Sequence, residues 1–254
     1  MIIPKMINLL KNKITNNFLK LQNFIFDALF PWHCVFCLKE NENLICPECL
    51  KTIPLFSDFY CPSCQKILTS LKHHCHRKTR LYALGAVSCY ENPVLRKAIY
   101  AFKYQKIIKL KEIFSNLIIQ FLKQSKFFSE LLKEKNNIII LSVPLHKARE
   151  RKRGFNQADL LAQEISKSFE IPYPKNALLR KKNNLPQASL KDKTEREKNV
   201  RNIFKINPQK RKLLKNKIIL LVDDVYTTGA TMEEISKLLK KAKVKKIIGL
   251  VIAR

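Results

Sequence analysis

Two apolar runs interrupt an otherwise lysine-studded chain: Ile138-Ile-Ile-Leu-Ser-Val143 and Lys217-Ile-Ile-Leu-Leu-Val222. Such runs, without polar alternation, suit parallel strands covered on both faces. Leu81 to Tyr90 and Lys246 to Ala253 read as two further strands. Apolar positions at three- and four-residue steps predict helices over about 94–122, with a break near Lys103 and Tyr104, over 156–169 and over 231–241. Asn92-Pro93 marks a turn, Asn136-Asn137 closes another helical stretch, and Pro144 stops the first apolar run, after which a basic loop is expected. Alternation of strand, loop and helix predicts an α/β fold on a parallel sheet with right-handed crossovers. Ligands on such sheets bind at the carboxyl ends of the strands.

The first 80 residues follow a different pattern. Ile7, Leu10, Ile14, Phe18, Leu21, Ile25 and Leu29 define an amphipathic helix over 1–33. Lys11, Lys13 and Lys20 break its apolar face, so it is not read as a bilayer span, and no small-residue cleavage site marks it as a signal peptide. Residues 34–80 hold most of the cysteines and too few apolar residues for a core, so metal must drive their folding. The expected organisation is therefore a helix over 1–33, a metal module over 34–80 and an α/β domain over 81–254. Within that domain the polar stretch 176–202 reads as a mobile functional loop.

Charge and cysteine content narrow the chemistry. The chain has 254 residues, and 49 Lys plus Arg against 20 Asp plus Glu give a net charge of +29. This surplus favours phosphorylated ligands or nucleic acid, although an AT-rich coding sequence would produce the same lysine-rich surface. Six of the 8 cysteines form Cys-x-x-Cys pairs, which favours zinc in a reducing cytoplasm over a secreted disulfide scaffold. Cys34, Cys37, Cys46 and Cys49 supply four thiolates at zinc-ribbon spacing, a closed and therefore structural site. Cys61, Cys64 and Cys75 supply three more ligands; His73, His74 or His76 can stand in as the fourth, and a knuckle without metal is the alternative. Cys89, inside the first expected strand, reads as a core thiol.

The second apolar run delivers Asp223 and Asp224 to the sheet edge, where adjacent carboxylates can accept hydrogen bonds from ribose hydroxyls. Thr227, Thr228, Gly229, Ala230 and Thr231 then lead straight into a helix, and their N–H groups and hydroxyls form a pocket fit for phosphate. This combination resembles the type I phosphoribosyltransferases. The segment Ser142-Val-Pro-Leu-His146 with Arg149, Arg151, Arg153 and Gly154-Phe-Asn-Gln157 is similar to one branch of them, the ComF family of competence-associated proteins. Gln187, Leu190, Arg196, Asn199-Val200, Phe204 and the cysteine-rich N-terminus, a double zinc ribbon in many members, carry the same resemblance.

The resemblance implies a type I phosphoribosyltransferase-like sheet flanked by helices, with a small zinc-ribbon module before it. It implies that Asp223 and Asp224 bind the ribose hydroxyls of phosphoribosyl pyrophosphate (PRPP) and that Thr227 to Thr231 bind the 5′-phosphate. Arg149, Arg151 and Arg153, joined by Lys103, would meet the pyrophosphate with Mg2+, and residues 183–202 would cover the site. The implied role is DNA uptake or natural transformation, with the zinc ribbon and basic surface contacting single-stranded DNA or proteins of the uptake machinery. The alternative is a metabolic phosphoribosyltransferase in which an unidentified nitrogen acceptor attacks C1 of the ribose and pyrophosphate leaves. No acceptor-choosing residue and no base-stacking aromatic ladder is read from the sequence.

Overall fold

The computed structural model describes residues 32–75, 78–182, 200 and 202–254. The amphipathic helix expected over 1–33 falls on residues almost all outside this set, as do His76 and most of the expected 183–202 loop. The chain divides into two compact units, Met1–Thr52 and Ile53–Arg254.

In the first unit the described residues fold around the first four cysteines. Val35 N–H donates to Leu44 O at 2.8 Å, and Cys34 N–H to Lys39 O at 2.9 Å. Pro47–Lys51 forms a short helix with proline at its start, where the missing N–H costs nothing, and with the Cys46 thiol as its N-cap.

The second unit contains strands β1 (Phe59–Tyr60), β2 (Ile67–Leu68), β3 (Ala83–Ser88), β4 (Ile138–Ser142), β5 (Leu178–Arg180), β6 (Phe204–Ile206), β7 (Ile218–Val222) and β8 (Lys246–Ala253). Its main sheet runs β2-β1-β3-β8-β7-β4. The last four in that order are parallel, with Ile140 beside Leu220 and Leu220 beside Ile248. Every residue of β4 and β7 is buried, which explains their unbroken apolar sequence. Ile139, Leu141, Ile219 and Leu221 pack with Met232, Ile235 and Leu239 of the helix Ala230–Lys241. Each such side chain contributes about 1.5–3 kcal/mol on burial. Helices Leu110–Gln124 and Gln157–Phe169 also pack on the sheet, with Phe121 closing over Gly85.

The long helical stretch is split in two, Pro93–Tyr104 and Leu110–Gln124. Asn92 caps the first half by accepting from Leu95 N–H at 2.9 Å, and Lys106, at φ 60°, turns the chain between them. The hairpin of β1 and β2 adds antiparallel strands to the edge of the parallel sheet through Tyr60 and Leu84. The second cysteine cluster therefore folds with the α/β unit. The chain leaving that cluster is tied to the helix Ala230–Lys241, because Glu233 accepts from Arg80 N–H at 2.9 Å and from Arg80 Nη1 at 2.5 Å.

Two local expectations need correction. The segment after Pro144 is not a loop throughout: Lys147–Arg153 is a helix. His146 Nδ1 accepts from Ala148 N–H at 3.2 Å at its start, and Gly154, at φ 91°, closes it as a left-handed C-cap. Cys89 lies just past the end of β3 and is half-buried, so it is not a core thiol.

Candidate functional site

At the carboxyl end of β7, Asp223 and Asp224 leave the sheet side by side. Asp223 N–H donates to Leu250 O at 3.0 Å, Ile252 N–H to Asp224 O at 3.0 Å, and Tyr226 N–H to Ala253 O at 2.9 Å. The loop is thereby zipped to β8 along its first half. It then reaches Gly229, at φ 77°, which starts the helix Ala230–Lys241. A side chain at Gly229 would both strain this backbone and collide with the Tyr226 hydroxyl. Thr227 is exposed, and Thr228, Gly229 and Thr231 are half-buried around the helix N-terminus, where N–H groups and the helix dipole favour an anion.

The two carboxylates differ in their surroundings. Lys103 Nζ lies 2.8 Å from Asp224 Oδ1, with both side chains largely shielded. Burial works against the Lys103 charge, but Asp224 and Asp223 outweigh it and raise the ammonium above its ordinary pKa. Asp223 has no cationic side chain in ion-pair contact among the described residues. Burial and the neighbouring Asp224 push its carboxyl up to about 8. Lys103, expected beside the arginines, is therefore committed to the aspartate pair.

Helical geometry divides the three arginines. Positions four apart share a face, so Arg149 and Arg153 are half-buried together while Arg151 is exposed. Arg153 Nη1 donates to Gln157 Oε1 at 2.6 Å, and its guanidinium lies 5.3 Å from the Tyr104 ring centre. Burial and repulsion from Arg153 lower the Arg149 pKa.

A further cation joins them from β5. Burial and the nearby Arg149 bring Arg180 down to about 10, against the pull of Asp223. Nη2 of Arg180 and Nε2 of Gln157 are buried without a hydrogen-bond partner among the described residues. Orphaned buried donors are costly unless something accepts from them, and here they sit among cations that suit an anion. Arg180 also lines a cleft of about 420 Å³, together with residues that include Ser142, His146, Lys147, Asp159 and Tyr173. At its floor Asp159 Oδ1 accepts from Ser142 Oγ and from the Tyr173 hydroxyl, the latter at 2.6 Å.

Sequence reasoning missed Arg180 and the orphaned donor of Gln157. Nothing in the lysine-rich stretch after Leu179 separates Arg180 from surface charge. Gln157 does carry a signal, since it follows the helix-capping Asn156, whose side chain accepts from Ala158 N–H at 3.2 Å.

Both cysteine clusters have the dimensions of a tetrahedral metal site. Ligand atoms of Cys34, Cys37, Cys46 and Cys49 lie within 4.8 Å of one another, as do those of Cys61, Cys64, His73 and Cys75. Zinc–sulfur bonds of about 2.3 Å at tetrahedral angles place sulfurs about 3.8 Å apart. Cys37 and Cys46 Sγ are 3.7 Å apart, Cys61 and Cys75 Sγ 3.6 Å, and Cys64 Sγ lies 3.4 Å from His73 Nε2. Burial raises the Cys34 and Cys61 thiols, yet backbone N–H donors outweigh it and bring each down to about 6. These sites fit zinc, with His73 joining the second cluster.

Residues 25–78 match the double zinc ribbon domain family and residues 151–254 the phosphoribosyl transferase domain family. Zinc ribbons followed by a phosphoribosyl transferase domain define the class of protein. Competence protein F of Haemophilus influenzae is 32% identical over 225 residues, which cover 86% of this chain and 95% of that protein. Competence protein ComFC of Bacillus subtilis is 28% identical over 88% of this chain and 89% of its own length. The DNA utilization protein YhgH of Escherichia coli is 36% identical over 100 residues, 39% of this chain and 42% of that protein. The chain belongs to the ComF family. Among the described residues no helix is long and apolar enough to cross a membrane.

Proposed function

We propose that this chain binds PRPP through its α/β unit and acts in the handling of DNA during natural transformation, from the cytoplasmic side. One observation carries the reading: an aspartate pair and an anion-binding helix start share the end of β7, with cations and unpartnered donors close by. Asp223 and Asp224 accept the ribose hydroxyls. The loop Thr227 to Thr231 holds the 5′-phosphate with its N–H groups and hydroxyls. Arg149, Arg153 and Arg180 receive the pyrophosphate, for which guanidinium forks are suited by shape. Arg151, on the exposed side of its helix, meets solvent or another partner.

Asp223, the carboxylate without an ion-pair partner among the described residues, would be the residue to hold a magnesium ion brought with the ligand, which would supply charge neutralisation to the pyrophosphate. Its raised pKa makes ligand affinity rise with pH up to about 8, as the carboxylate needed for hydroxyl binding forms. Zinc held by cysteine thiolates needs reduced cysteines, which suits a reducing compartment.

A metabolic phosphoribosyltransferase is not favoured, because the relatives are named for competence and DNA utilization. The test is genetic. In a naturally transformable host lacking its own relative, the wild-type chain restores transformation, and the Asp223→Ala/Asp224→Ala variant does not, although it folds and loads zinc. Full restoration by that variant would separate the ribose-phosphate site from the role.

A further inference from the structure

The helix Pro93–Tyr104 buries Val94, Leu95, Ala98, Ile99, Ala101 and Phe102. Its opposite face carries Arg96, Tyr100 and Tyr104 at four-residue steps, so that they occupy successive turns about 6 Å apart. The two tyrosines are 55% and 50% exposed, and among the described residues no other large aromatic is as exposed. Their ring centres are 5.0 Å apart at an interplanar angle of 43°, so two tilted rings stand next to each other on the surface. Arg153 lies 5.3 Å from the centre of the Tyr104 ring and Arg149 lies near it. Cation, ring, ring and cation thus follow one another along the surface, and Lys103 of the same helix reaches Asp224.

We infer that this stripe is a docking track for single-stranded DNA, with bases stacked on Tyr100 and Tyr104 and phosphates met by Arg96. Three physical points select this occupant. Exposed rings can stack only on bases that are not already paired, which excludes a duplex. Cations flank the rings, which suits a polyanion better than an apolar protein surface, and a net charge of +29 draws such a strand in. The relatives named for competence and DNA utilization favour DNA over RNA. The inference rests on the DNA-handling reading above and adds the place where the strand lies.

The experiment measures fluorescence anisotropy of a labelled thymidine 20-mer with the full-length zinc-loaded protein, at several salt concentrations. Replacing one stacking residue by alanine costs about 1–3 kcal/mol per base, so Tyr100→Ala is expected to weaken binding by about 5- to 150-fold. Tyr100→Phe keeps the ring and binds as wild type. Arg96→Ala lowers the slope of log affinity against log salt by about 0.7, the worth of one phosphate contact on a single strand. Neither Tyr100 variant changes PRPP affinity or the melting temperature. Wild-type affinity for the Tyr100→Ala variant, or an equal preference for the matching duplex, would overturn the track. So would absence of oligonucleotide binding by the wild type, and PRPP titration would then report separately whether the ribose-phosphate site stands.

Discussion

Replacing Asp223 by asparagine should make the protein more stable and less able to bind its ligand. Burial and Asp224 push the Asp223 carboxyl up to about 8, from an ordinary value of 3.8. Between those values the unfolded chain has lost this proton and the native state has kept it. The native state therefore binds more protons, and stability falls as pH rises through the window. Each pH unit inside it is worth at most about 1.4 kcal/mol. At pH 7, about three units above the ordinary 3.8, the ceiling is about 4 kcal/mol. Since Asp224 and Lys103 share the interaction, we take half, about 2 kcal/mol, as the expected gain. Asparagine avoids this cost, and its side-chain oxygen still accepts from Asp224 N–H, now 2.9 Å from Asp223 Oδ1. In a unit of this size about 2 kcal/mol raises the melting temperature by about 4–8 °C. The assay is thermal unfolding of zinc-loaded wild type and Asp223→Asn at pH 6, 7 and 8, without ligand. The gap should widen from pH 6 to pH 8 and then level off. A variant no more stable than wild type, or a gap constant with pH, would refute the reasoning.

Other consequences follow from the same geometry. Arg149→Ala should weaken PRPP binding by at least about tenfold, the worth of one charge-assisted hydrogen bond, whereas Arg151→Ala should stay within about twofold; calorimetry compares them. Gly229→Ala forces a left-handed backbone on alanine and a clash with Tyr226, so it should destabilise by about 1–3 kcal/mol in thermal unfolding and abolish phosphate binding. Metal analysis of the purified protein should find two zinc ions per chain, with Cys34→Ser and His73→Ala each losing one and His73→Cys keeping both.

The sequence made some of this legible and hid the rest for identifiable reasons. β4 and β7 were readable because strands buried on both faces need no polar alternation, and the Asp223 to Thr231 segment because its strand, carboxylates and loop are contiguous. The Lys147–Arg153 helix carries no apolar periodicity; its only marks are the bracketing His146 and Gly154. Arg180 is one cation among many, and its importance arises only when β5 brings it near Arg149 and Asp223. The choice of His73 as fourth ligand depends on how the chain folds back from the β1–β2 hairpin. Tyr100 and Tyr104 become a surface feature only once the buried face of their helix is known.

The central claim is that the end of β7 holds a phosphorylated ribose. Calorimetric titration of PRPP with magnesium into the zinc-loaded protein, beside the Asp223→Ala/Asp224→Ala variant, tests it most directly. The account predicts saturable one-site binding by the wild type and none by the variant. No binding by a folded, zinc-loaded wild type, or equal binding by the variant, would contradict it.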